Sequence, residues 1–75
     1  MTPEDSAAVL AAARSYRPGA LMTVEDILIA ARVDGHPLDH ADGRAIAAVL
    51  RRAGARPVSL TGSGHLIHWI LEAGQ

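Results

Sequence analysis

Every cationic side chain in this sequence is an arginine: there are seven, and no lysine. Four of them, Arg44, Arg51, Arg52 and Arg56, fall in one short stretch with alanines between them. A guanidinium is always charged, and its planar fork matches phosphate oxygens and the acceptor edge of guanine. On a helical wheel Arg44 and Arg51 lie one above the other, with Ala47 and Ala48 between them and Arg52 to one side. Small residues flanked by arginines would let a helix approach a phosphate backbone closely. The competing reading is that the arginines only solvate an exposed face. The formal net charge of -1 at pH 7 gives no global positive field, so any affinity for nucleic acid must come from this local face.

Other reactive side chains are less organised. His36 and His40 are four apart, but Pro37 prevents a regular helix between them. His65 and His68 are three apart on an expected strand and so point to opposite faces. Neither pair presents two ligands side by side, and no metal or cofactor is expected. Ser63 lies between two glycines, but TGSGH lacks the strand-turn-helix setting of a hydrolase nucleophile. No helix follows those glycines to make them a phosphate loop. Trp69 reads as core because of its large apolar area. Tyr16 is a candidate rim residue of an interface. No enzymatic constellation emerges.

The elements that must position these residues carry clear local signals. Thr2-Pro3-Glu4-Asp5 is a cap, a proline at the first helical position, and acids that suit the helix dipole. It predicts helix 1 over residues 3–15, which is alanine-rich. Ala20-Leu21-Met22 is a candidate short strand over residues 20–22. Thr23 caps helix 2 over residues 24–33, with Asp26 at the capping-box position, Met22 and Ile27 as a hydrophobic staple, and Val24, Ile27, Leu28 and Ala31 as the buried stripe. Asp39 is the expected cap of helix 3 over residues 40–53. Ile46, Val49, Leu50 and Ala53 form its buried stripe, and Gly54 stops it. After Gly54 the period changes to two. Residues 56–71 read as a hairpin, with Pro57 restricting the first strand to an edge and Thr61-Gly62-Ser63-Gly64 as the turn. On the return strand Ile67, Trp69 and Leu71 share one face, and Leu66, His68 and Ile70 the other. Both faces are largely apolar, so the strand should be covered on both sides or offer an apolar face to a partner.

Seventy-five residues make one domain, and a chain this short buries only roughly 60% of its unfolded surface. The absence of cysteine excludes disulfides and thiolate metal sites. No apolar run reaches the ~20 residues of a membrane span. The start, MTPEDSAAVL, lacks the basic opening of a signal peptide, so a cytoplasmic location is expected, without a membrane partner.

Helix, short strand, helix, helix, strand, strand is the grammar of a winged helix, an α+β fold of three helices and a C-terminal hairpin with the short strand as a third. Residues 23–70 resemble the small winged-helix domain at the C-terminus of phage- and plasmid-type primase-helicases of the virulence-associated E class. The resemblance rests on TVEDIL at residues 23–28, then Asp39, Asp42, Ile46, Val49, Leu50, Arg51, Arg52 and Gly54, and an aromatic, Trp69, late in the hairpin. It implies a nucleic-acid-binding or replisome-associated module of a phage or mobile element, acting in replication or transcription regulation. The chain departs from that family at Ala55, where an aromatic is common, and in residues 59–65, which hold no arginine where the family's wing is basic.

The leading expectation is therefore a non-enzymatic protein that binds double-stranded DNA through Arg44, Arg51, Arg52 and Arg56, with Ser63 at the wing tip. The alternative is a protein-interaction module, a modulator of a host or replisome protein or a homodimer, whose interface would use Leu66, Ile70 and Tyr16.

Overall fold

The computed structural model describes residues 2–38, 42–59 and 67–72 of the chain. Three helices, α1 (Pro3–Arg14), α2 (Val24–Val33) and α3 (Gly43–Arg52), combine with three strands, β1 (Leu21–Met22), β2 (Arg56–Ser59) and β3 (Ile67–Ile70). The sheet is antiparallel in the order β1-β3-β2. This α+β arrangement is compatible with a winged helix.

Local chemistry sets most element ends. At the start of α1 the Thr2 hydroxyl accepts from the Asp5 amide at 3.1 Å, and the Thr2 amide donates back to the Asp5 carboxylate at 3.4 Å. Thr23 and Asp26 repeat the exchange at the start of α2, at 3.1 and 2.9 Å. Each box satisfies two amides that the helix itself leaves unbonded. Met22 and Ile27, the staple across that second cap, are both buried. Gly54, at φ 94°, ends α3 in the left-handed region. Its amide donates to the Arg51 carbonyl at 3.0 Å, and the Ala55 amide to the Leu50 carbonyl at 2.9 Å. Gly35, at φ 87°, closes α2 in the same way: its amide donates to the Arg32 carbonyl at 3.0 Å and the His36 amide to the Ala31 carbonyl at 2.9 Å.

Several boundaries differ from the sequence reading: β1 begins at Leu21, α3 ends at Arg52 with Ala53 as its C-cap, and β3 ends at Ile70. Helix 1 ends at Arg14, with Ser15 as its C-cap. The larger change is at α3, which begins at Gly43 rather than near residue 40. Asp42 is the N-cap: its backbone is extended (φ -89°, ψ 163°), and its side chain accepts from the Ala45 amide at 2.8 Å. An extended Asp42 interrupts any helix running through it, so the cap passes from Asp39 to Asp42. Asp39 itself lies outside the described residues, as do Ser63, His40, His65, Leu66 and the hairpin turn.

The core lies between the helices and one face of the sheet. Its largest fully buried side chains are Trp69, Met22, Ile27, Ile46, Leu50 and Val9. α1 packs on both other helices through Val9, Ala12 and Ala13, and these small side chains allow close approach. Met22 and Trp69 are partners in register, so β1 and β3 turn one face inward together. Leu21, Ile70 and Arg56 are aligned across the opposite face, which is covered only in part: Ile70 is half-buried and Leu21 is exposed. Among the described residues no helix is long and apolar enough to cross a membrane.

Candidate nucleic-acid interface

With Ile46, Val49 and Leu50 turned into the core, α3 presents the opposite side to solvent. Arg44, Ala48 and Arg51 are exposed there, and Ala47 is half-buried. Arg44 and Arg51 are two turns apart, about 10 Å along the axis at 1.5 Å per residue. The helix contains three arginines and no acid. The Arg44 side chain makes no hydrogen bond or ion pair with another described residue.

Arg51 is held from the sheet side. Its guanidinium carbon lies 5.5 Å from the centroid of the Trp69 ring, within the range of a cation–π contact. Trp69 is therefore core on one side and a platform for an arginine on the other. Arg52 leans the other way, toward α1. Its Nε donates to the Ala48 carbonyl at 3.4 Å, a long bond along its own helix. Together with Arg14 it flanks a groove of about 380 Å³ between α1 and α3, floored by Leu10, Val49 and Ala53.

The remaining candidates are placed differently. Arg56 donates from Nη2 to the Glu72 carboxylate at 2.7 Å, in a pair more than half exposed on both sides. It therefore presents a neutral pair rather than a lone cation. Tyr16 is half-buried, and its hydroxyl donates to the Asp26 carbonyl at 3.0 Å, tying the end of α1 to the start of α2. Ile70 is half-buried on the outer sheet face. Ser63 and Leu66 lie outside the described residues.

His36 bonds through Nε2 to Asp5 at 2.9 Å, fastening the α2–α3 turn to the N-terminus of α1. That bond, followed by those from Thr2, lowers the Asp5 pKa below its ordinary value of 3.8. Among the described residues no group of three or more His, Cys, Asp or Glu is placed to hold a metal ion.

Three features escaped the sequence reading. Glu72 as the partner of Arg56 has no local signal, since the two are 16 residues apart. Arg14 in the groove was detectable, because Ser6, Leu10 and Arg14 recur every four residues on α1. Ile29 and Val33, 55% and 81% exposed on α2, were also detectable, because both fall outside the stripe of Val24, Ile27, Leu28 and Ala31.

No family model, no curated protein and no solved structure matches this chain.

Proposed function

We propose that this chain is a small non-enzymatic winged-helix domain that binds double-stranded DNA. α3 enters the major groove with Arg44 and Arg51 toward base edges or phosphates and Arg52 toward a flanking phosphate. The observation that carries this reading is the outer face of α3, where Arg44 and Arg51 flank an exposed alanine on a helix without an acidic residue. The stacking of Arg51 on Trp69 adds to it, because a guanidinium fixed in advance loses less freedom on binding. Arg56 is left out of the contact set because Glu72 already neutralises it. The resemblance to the virulence-associated E primase-helicase domains extends the proposal to a cytoplasmic role in replication or transcription regulation of a phage or mobile element.

The test is fluorescence anisotropy with random-sequence duplex DNA across a salt series. Because the net charge is -1, binding is expected at low salt and in the micromolar range or weaker. Absence of binding at low salt would sink the proposal and reassign the arginine face to solvation.

A further inference from the structure

Two surface features beside the proposed DNA face, sharing only Arg52 with it, are complementary to each other. The first is the groove between α1 and α3, with Leu10, Val49 and Ala53 as its apolar floor and Arg14 and Arg52 at its rim. The second is the outward stripe of α2, formed by Glu25, Ile29 and Val33. Glu25 is exposed at the first turn of α2, and the two apolar residues follow it at four-residue steps. Exposing a valine at 81% and an isoleucine at 55% on one side of one helix leaves apolar surface that burial would stabilise.

We infer that the α2 stripe of one copy docks in the α1–α3 groove of a second copy of this chain. The two stripes match in length: Ser6 to Arg14 and Glu25 to Val33 are each eight steps along the helix, about 12 Å. They also match in charge order. Run antiparallel to α1, Glu25 meets Arg14, Ile29 lies on Leu10 and Val33 lies beside Ser6. The positive N-terminal end of α2 then faces the negative C-terminal end of α1, and antiparallel helix dipoles favour this.

Because the two patches differ, the contact runs head to tail or is made twice across a two-fold axis, and either way it joins copies of this chain. One helix face buries less than the ~800 Å² per partner of a standard interface, so association is weak.

The experiment is sedimentation equilibrium without DNA, from about 10 µM to 1 mM chain, the range in which a small interface associates. It therefore reads self-association independently of the proposed DNA contact. The wild-type mass is expected to rise with concentration above that of one chain. Arg14→Glu and Glu25→Arg should each hold the protein at one chain, and a chain carrying both reversals should recover the rise. Ile29→Ser, at an exposed position where folding is not at stake, should also stop it. A wild-type monomer throughout, association that survives both single reversals, or no recovery in the double reversal would each overturn the inference.

Discussion

The contact set on α3 makes a quantitative prediction about salt. Suppose Arg44, Arg51 and Arg52 each neutralise one phosphate. Log affinity for duplex DNA then falls against log salt with a slope of about -2.7, and affinity drops about 40-fold between 50 and 200 mM. Replacing Arg44 with alanine removes one counterion-releasing contact and should flatten the slope by about 0.9. Arg51→Ala should do the same, and the double variant should fall to a slope of about -0.9. Arg56→Ala behaves differently. Its guanidinium is 2.7 Å from the Glu72 carboxylate, so the pair offers DNA no net charge, and the slope should not change. The pair is exposed and contributes only about 0.2–1 kcal/mol to stability, so Glu72→Gln frees Arg56 without harming the fold. That variant should steepen the slope by up to about 0.9. Anisotropy titrations at four or five salt concentrations resolve these differences. The reasoning fails if Arg44→Ala with Arg51→Ala leaves the slope unchanged, or if Arg56→Ala flattens it as much as Arg44→Ala does.

Other predictions concern the scaffold. Trp69 is 2% exposed, and Trp69→Ala should cost about 3–5 kcal/mol in urea unfolding, enough to unfold much of a domain this small. Asp42→Ala should lower stability by about 0.5–2 kcal/mol because the Ala45 amide loses its acceptor; a melt indistinguishable from wild type would return the capping role to Asp39. The lowered pKa of Asp5 sets a pH dependence. Its folded value lies below 3.8, so its contribution is fully present above that pH and is lost as pH falls through the folded value. Asp5→Asn should therefore flatten the acid side of a stability-versus-pH curve, and an unchanged acid limb would refute the role of the His36 contact.

The elements of this protein were legible in its sequence wherever the deciding contact spans five residues or fewer. The caps at Thr2 and Thr23, the staple of Met22 on Ile27 and the glycine stop at Gly54 all close within five residues, so the residue types alone determine them. The bounds of α2 follow directly. The same local logic left α3 ambiguous, because Asp39 and Asp42 both suit a cap and only the folded backbone at Asp42 decided between them.

What the sequence left open depends on distance along the chain. Arg56 and Glu72 are 16 residues apart, and Asp5 and His36 are 31 apart. Leu21 pairs with Ile70 only because β1 is brought to the edge of β3. These meetings cost loop-closure entropy that burial of the common core offsets, so they exist only once that core has formed. The arginine face shows the division most clearly. Periodicity placed Arg44, Arg51 and Arg52 on the uncovered side of one helix. Tertiary structure then gave Arg51 to Trp69, Arg52 to the groove beside Arg14 and Arg56 to Glu72, leaving Arg44 without a partner among the described residues. The charge of each arginine is a property of its residue type, but whether that charge is available to a ligand depends on which distant side chain the fold places beside it.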